Sequence, residues 1–142
     1  NRFIDLQYFV DIKPAINQIE THVFQQQKEA KKYLEKYNCQ IESWGPFAEG
    51  KNDFFNTPLL KEIGEKYGKS VAQVALRFLL QSNVVVIPKS VRKERMQENF
   101  DIFDFELTED EMKSIEGLDQ GSTLFHNHQE PETAERFLSF LS

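Results

Sequence analysis

A cationic turn follows a short apolar run near residue 90. Residues 84–87 are Val-Val-Val-Ile and precede Pro88, which predicts a short strand buried on both faces, as in parallel sheets. Ser90 can cap a helix that begins at about Val91. Four cations then fall within seven residues of a chain whose formal net charge is -6. They are Lys89, Arg92, Lys93 and Arg95.

These cations lie where a helix dipole disfavours positive charge, on the exit turn of the strand and in the first turn of the helix. An anion bound at the helix N-terminus would reverse that preference, because backbone N–H groups and cations would converge on it. The stretch therefore indicates a phosphate-binding strand-turn-helix. A solvated basic turn without a ligand stays open as the alternative.

Two earlier strand candidates carry further residues that could contact a ligand. Asn17 and Gln18 lie inside the strand predicted after Pro14, and they form either a satisfied buried network or a ligand contact. Trp44 ends the strand predicted at 41–43, where Gly and Pro begin a loop. An exposed Trp there could stack on a planar ring, whereas a core Trp would not. His22 is more typical of a packed histidine than of a catalytic one.

The elements that must position these residues follow an α/β order. Amphipathic spacing and capping signals predict helices at 26–37, 57–67, from 70 onward, after Val91 and from 108, with a weaker helix at 1–11. The predicted order of elements is strand, helix, strand, two helices, strand and two helices. This order indicates parallel strands with right-handed crossovers. Three strands cannot close a barrel, so the sheet would have open edges. If they are the last three strands of a (β/α)8 barrel, the Trp44 loop and the Lys89 turn form that fold's phosphate site.

Length and composition limit which classes of protein the chain can belong to. The chain has 142 residues, 39% of them hydrophobic, which is enough for one domain with a hydrophobic core. We predict a single partial barrel over 1–142. Residues 122–142 are predicted to form a flexible tail or one that packs over the barrel rim. The acidic balance argues against nucleic-acid and membrane partners. The lone Cys39 excludes an internal disulfide and a cysteine zinc site. Without a signal-peptide pattern, the expected location is the cytoplasm. The start at Asn1, without Met, suggests a fragment.

The assembled motifs resemble the aldo-keto reductase family, in particular its bacterial diketogluconate-reductase-like members. The resemblance spans about residues 1–120 in the family's order. The matching pieces are Pro-Ala-Ile-Asn-Gln-Ile-Glu at 14–20, Glu-Ser-Trp-Gly-Pro-Phe-Ala-Glu-Gly at 42–50, Ile-Pro-Lys-Ser-Val-Arg-Lys-Glu-Arg-Met-Gln-Glu-Asn at 87–99, and Phe-Asp-Phe-Glu-Leu at 103–107.

The resemblance implies that the chain binds NADP(H) and supplies the cofactor-binding half of a barrel. Gln18, with Asn17 beside it, would hold the nicotinamide carboxamide, and Trp44 would stack on the ring. Gly45 and Phe47 would lie along the pyrophosphate. The remaining cofactor-binding positions lie around the cationic turn: Lys89 and Ser90 for phosphate, with Val91 beside them, Arg95 for the 2′-phosphate, and Glu98 and Asn99 for adenine. Arg92 stands where many family members have a small hydroxyl residue, and we expect it to add a contact to the 2′-phosphate.

The resemblance also implies what is missing. The family transfers hydride to a carbonyl carbon while a Tyr, assisted by Asp, Lys and His, protonates the oxygen. No residue of this chain matches those four, so no catalytic residue is assigned, and the chain alone is expected to be inactive in reducing a small aldehyde or ketone. Its expected partners are NADPH, that carbonyl substrate, and either the missing amino-terminal half-barrel or a second copy. A non-catalytic NADP sensor and another phosphate-binding barrel, such as an aldolase, remain alternatives.

Overall fold

The computed structural model describes residues 2–127 and 130–141 and forms an α/β array. The strands are β1 (Ile16–Glu20), β2 (Gln40–Trp44) and β3 (Val85–Val86). The α-helices are α1 (Arg2–Phe9), α2 (Lys28–Lys36), α3 (Pro58–Tyr67), α4 (Val71–Gln81), α5 (Lys93–Phe100), α6 (Glu109–Glu116) and α7 (Pro131–Leu138). Two 3₁₀ segments lie at Ala48–Asn56 and Ser139–Leu141.

The three strands are parallel and lie in the order β1-β2-β3. Gln18 pairs with Glu42 and Glu20 with Trp44, while Glu42 pairs with Val85 on its other side. The predicted parallel α/β arrangement is confirmed. Because parallel strands present their carboxyl ends at one edge, the loops after β1, β2 and β3 leave the sheet together.

One face of the sheet packs against the helices and forms the core. Ile41 and Ser43 of β2 point to this face, and both are buried. Val84, directly before β3, lies on the same face and is also buried. Helices α2 and α4 pack against this face, and α3 packs on α4. The buried apolar side chains of these helices include Leu34, Leu60, Ile63, Val74, Phe78 and Leu79.

The opposite face of the sheet is open. Ile16 is 55% exposed, Val85 40% and Ile87 48%, so the strand predicted at 84–87 is not buried on both faces. That prediction was wrong because no layer covers this face among the described residues. Exposure alternates along this stretch: Val85 and Ile87 point to the open face, whereas Val84 is buried.

Local signals fixed several helix ends. Ser70 and Thr108 both form capping boxes, with Gln73 and Glu111 as the reciprocal partners. Gly68 ends α3 in the left-handed conformation at φ 65°. The predicted cap at Ser90 is wrong: α5 begins at Lys93 with Arg92 as its N-cap residue, and no side chain caps it.

The chain's end contains a helix that sequence patterning did not predict. Helix α7 covers Pro131–Leu138, and its side chains Phe137 and Leu138 are 42% and 64% exposed. Asn1, from the helix expected at 1–11, lies outside the described residues, as do three residues of the expected tail, His128, Gln129 and Ser142. The flexible or rim-packing tail at 122–142 stays a prediction. None of the helices in the described ranges is long and apolar enough to cross a membrane.

Glu111 couples the stability of the helical layer to pH. Burial opposes ionisation of this carboxyl, but donors outweigh it and lower its pKa to about 2: Lys66 Nζ lies 2.6 Å away, Tyr67 OH 2.8 Å and Thr108 N 2.8 Å. A lowered folded-state pKa stabilises the fold above the ordinary value of 4.5, and this stabilisation is lost as the pH falls toward 2.

We therefore expect Glu111→Gln to lower the free energy of unfolding at pH 7. The loss should be about 2 kcal/mol, which is less than the full pKa shift implies, because solvent partly screens the Lys66 partner. The difference from wild type should shrink between pH 4.5 and pH 2. Urea unfolding across this range measures it. Glu116→Gln, on the exposed side of α6, is the matched control and should follow wild type. A difference for Glu111→Gln that is constant with pH would contradict the assignment.

Candidate cofactor site at the strand ends

The carboxyl ends of the three strands bring the predicted ligand contacts to one edge. Gln18 lies two residues before the end of β1, Trp44 is the last residue of β2, and Lys89 follows β3. By register, Gln18 and Trp44 lie on the same open face of the sheet, because they pair with Glu42 and Glu20 respectively. The structure thus places an amide, an indole and a basic turn side by side on three neighbouring strands.

Gln18 is exposed and held in one orientation. Its side-chain Nε2 donates to Glu42 Oε1 on β2 at 2.9 Å. This bond leaves the amide oxygen of Gln18 to accept a hydrogen bond from outside. A primary carboxamide, which carries N–H donors, is a suitable partner for such an acceptor.

Asn17 does not share this site with Gln18. Successive strand residues point to opposite faces, so the Asn17 side chain turns toward the helix layer. There it lines an open cleft between α1, β1 and α2, together with Pro14, Ile19 and Tyr33. The structure therefore separates the two neighbours that the resemblance had placed together.

Trp44 is half-buried and in contact with an aromatic ring from much later in the chain. The ring centroids of Trp44 and Phe125 lie 4.8 Å apart with an interplanar angle of 64°, an edge-to-face arrangement. The next residue, Gly45, has φ +65°, a left-handed conformation that favours glycine. The chain can therefore turn sharply beside the indole and start the 3₁₀ segment.

Phe47 anchors that segment to the core. Its ring lies 6.0 Å from both Phe54 and Phe55, and Phe54 is fully buried. The backbone between them includes the left-handed residues Asn52 and Asp53. A buried aromatic cluster, rather than regular helix bonding, thus holds this loop near the strand ends.

The basic turn is open to solvent. Lys89 and Arg92 lie before α5 and the other two cations in its first turn, and all four are exposed. Among the residues that the structure describes, none of the four forms an ion pair, whereas Lys69 bridges Asp101 and Asp104. Unpaired cations grouped in one turn fit a polyanion such as a phosphate. The four are Lys89, Arg92, Lys93 and Arg95.

The flanking positions of the turn have mixed environments. The Ser90 hydroxyl accepts a hydrogen bond from the Arg92 backbone N–H at 3.1 Å and so shapes the turn. Val91 is 81% exposed. Glu98 accepts a hydrogen bond from the Ser70 hydroxyl at 2.5 Å, which ties α5 to the start of α4. Asn99, the next residue, is half-buried.

Sequence reasoning missed a buried polar cluster at the end of β1. His22 Nδ1 accepts hydrogen bonds from the Phe24 and Gln25 backbone N–H groups at 3.2 and 3.1 Å, so Nε2 carries the proton. Nε2 donates to Glu20 Oε1 at 3.0 Å. Burial lowers the pKa of His22, and Glu20 opposes that shift only in part. The pair is therefore a hydrogen bond with a neutral imidazole, which confirms His22 as a packed residue.

Glu20 also holds the segment that follows α6. Its Oε2 accepts a hydrogen bond from Thr123 Oγ1, and its Oε1 accepts one from the Leu124 backbone N–H at 2.9 Å. These partners are more than 100 residues apart in sequence, and no local pattern signals the pairing. The segment thereby crosses the strand ends next to Trp44.

The residues present fit a dinucleotide better than a metal ion. The described part of the chain contains no group of three or more His, Cys, Asp or Glu side chains that could hold a metal. It does contain an oriented amide acceptor at Gln18, a half-buried indole at Trp44 and unpaired cations around Lys89. An extended ligand with a planar ring that carries a carboxamide at one end and a phosphate at the other matches the order of Gln18, Trp44 and the cationic turn along the edge.

Comparisons with known proteins agree on one family. A model of the aldo/keto reductase family matches residues 7–120. Methylglyoxal reductase DkgA of Escherichia coli is 43% identical over 122 residues, which cover 84% of this chain and 44% of that protein. Glyoxal reductase of Bacillus subtilis is 42% identical over 120 residues, which cover 84% of this chain and 43% of that protein. The chain thus spans less than half the length of these relatives.

Solved structures give the same result for the fold. The aldo-keto reductase MGS-M4 from a deep-sea metagenome library superposes with a TM-score of 0.83 at 34% identity, over 90% of this chain and 47% of that chain. A silkworm aldo-keto reductase complexed with NADPH gives 0.81 at 30% identity, over 88% and 41%. These neighbours are (β/α)8 barrels, and the present three strands correspond to part of such a barrel.

Proposed function

Because the chain belongs to the aldo-keto reductase family, we propose that its strand ends bind NADP(H) and that it forms the cofactor-binding half of a carbonyl reductase. The observation that carries the proposal is the alignment of Gln18, Trp44 and the cationic turn along one sheet edge. Relatives named as methylglyoxal and glyoxal reductases, and neighbours solved with NADPH, support it.

At the ring end, Gln18 and Trp44 would orient the nicotinamide. The Gln18 amide oxygen accepts from the carboxamide, while the Glu42 bond keeps the amide from rotating. The Trp44 indole supplies a flat apolar surface for the ring. Two constraints of this kind select which face of the ring is presented, which a single contact cannot do.

At the phosphate end, the cationic turn would hold the adenosine 2′-phosphate. Arg95 and Arg92 supply planar donor groups that match phosphate oxygens, while Lys89 supplies a point charge. The first backbone N–H groups of α5, from Lys93 onward, have no partner within the helix and would add neutral donors, together with the Ser90 hydroxyl. Glu98, whose carboxylate accepts a hydrogen bond from the Ser70 hydroxyl, and Asn99 would contact the adenine.

The bound cofactor would supply a hydride to the carbonyl carbon of a small aldehyde or ketone. This chain's residues bind and orient that cofactor, and none of them is assigned as the acid that protonates the carbonyl oxygen. We propose that this acid belongs to the part of a complete barrel that these strands do not provide. The open face at Ile16, Val85 and Ile87 is where that part, or a second copy of the chain, would pack.

A non-catalytic NADP-binding module is the second candidate. The same observation favours it, because the cofactor residues are present and no proton donor is assigned. Assaying NADPH oxidation with an aldehyde, for this chain and for a chain that contains the whole barrel, separates the two. Turnover by the whole barrel alone indicates the reductase, and no turnover by either indicates the binding module.

The binding proposal is tested by fluorescence, because Trp44 is the chain's only tryptophan. We expect NADPH to quench Trp44 emission in a saturable way and NADH to do so at higher concentration. Gln18→Leu should weaken the binding of both, since it removes the carboxamide acceptor common to them. Emission of Trp44 that NADPH leaves unchanged would contradict the proposal.

A further inference from the structure

Phe125 stands against the residue on which the nicotinamide is proposed to stack. Its ring meets Trp44 edge-to-face at a centroid distance of 4.8 Å. A Cβ at Gly45 would lie 3.8 Å from Phe125 Cζ, so the far edge of the ring lies beside the turn that follows the indole. Phe125 therefore lies both beside Trp44 and at the start of the loop proposed for the pyrophosphate.

A lysine from the same loop holds Phe125 in this position. Lys51 Nζ lies 4.0 Å from the centre of the Phe125 ring, a cation–π contact. The same Nζ donates to the Leu124 backbone oxygen at 2.9 Å. Lys51 thus covers one face of the ring and fixes the backbone that carries it.

The other end of the segment is held from β1. Glu20 accepts hydrogen bonds from Thr123 Oγ1 and from the Leu124 backbone N–H. The Thr123 hydroxyl in turn accepts from the Phe125 backbone N–H at 3.0 Å. Residues 123–125 are consequently anchored by Glu20 at the end of β1 and by Lys51 from the loop after β2, and the Phe125 ring contacts Trp44.

We propose that Phe125 is an internal occupant of the ring end of the cofactor site, and that nicotinamide stacks fully on Trp44 only after Phe125 has moved aside. This inference rests on the proposed NADP(H) binding. The ligand that Phe125 excludes is a planar aromatic ring that carries a carboxamide. The Phe125 residue thereby sets the apparent affinity of the site, since binding is reduced by the fraction of molecules in which the indole is free.

The anchors make this displacement local. Glu20 and Thr123 hold the backbone before Phe125, so rotation of the side chain can clear the indole without releasing the segment. Rotation gives up the contact with Trp44, the cation–π contact with Lys51 and a looser ring contact with His22 at 6.4 Å. Contacts of this size correspond to about a threefold to tenfold change in a binding constant.

The test is Phe125→Ala, with two readouts on Trp44. Acrylamide should quench the indole more strongly in the variant than in wild type, because its covering ring is gone. NADPH should bind the variant about threefold to tenfold more tightly. Phe103→Ala is the matched control, since Phe103 is 65% exposed and contacts Phe100 rather than Trp44, and both of its readouts should equal wild type.

Each other outcome is decisive. Unchanged acrylamide quenching in Phe125→Ala would show that Phe125 does not cover Trp44. Greater quenching with equal or weaker NADPH binding would show that Phe125 is a wall of the site and overturn its role as an occupant. If neither wild type nor Phe125→Ala binds NADPH, the proposed function fails, and this inference fails with it.

Discussion

Arg95→Ala is expected to weaken NADPH binding by about tenfold to a hundredfold and to leave NADH binding unchanged. The proposed partner of the guanidinium is the 2′-phosphate, which NADH lacks, and hydrogen bonds to charged groups are worth about 1.5–3 kcal/mol. Among the described residues Arg95 forms no ion pair, so its removal leaves no orphaned carboxylate and little structural cost. Titration of Trp44 fluorescence with each dinucleotide measures both affinities.

Arg92→Ala and Lys113→Ala complete that experiment. Arg92 is proposed to add a second contact to the 2′-phosphate, so its loss should reduce the preference for NADPH by a smaller factor. Lys113, an exposed cation of α6, is distant in sequence from the turn and should change neither affinity. An unchanged preference for NADPH in both arginine variants would refute the 2′-phosphate assignment.

Phe54→Ala is expected to lower the free energy of unfolding by about 3–5 kcal/mol. Phe54 is fully buried, and its ring lies 5.9 Å from Phe24, 6.0 Å from Phe47 and 5.2 Å from Phe55. Truncation would leave a cavity in the centre of this cluster, which the surrounding rings cannot fill by rotation alone. The same cluster holds the irregular loop after Gly45, so its loss removes local support as well as core volume.

Urea unfolding measures this effect, and Phe55→Ala is the matched control. Phe55 is the next residue and the same side chain, but it is 49% exposed. Its truncation should therefore cost less than half as much. Equal losses for Phe54→Ala and Phe55→Ala would contradict the view that burial within the cluster stabilises the loop.

Much of the fold is readable from local sequence because the signals are short-range. The capping boxes at Ser70 and Thr108 need only residues three apart, and the structure has both. The parallel strand order also follows from the alternation of apolar runs and helical patterns. The start of α5 was misjudged, because the Ser90 hydroxyl bonds to the Arg92 backbone N–H within the turn instead of capping a helix.

What the sequence did not predict depends on long-range contacts. Glu20 meets Thr123 and Leu124 only because the segment after α6 returns to the end of β1. The contact between Trp44 and Phe125 has the same origin. The separation of Asn17 from Gln18 was readable in principle, since strand residues alternate between faces. The resemblance had grouped them by adjacency in sequence rather than by face.

The most direct test of the proposed cofactor site is a crystal structure of this chain with NADPH bound. We expect the nicotinamide on Trp44 with its carboxamide at Gln18, and the 2′-phosphate between Lys89 and Arg95. We also expect the Phe125 ring to have rotated away from the indole. A dinucleotide bound elsewhere, or a structure at saturating NADPH in which the cationic turn carries no phosphate, would contradict it.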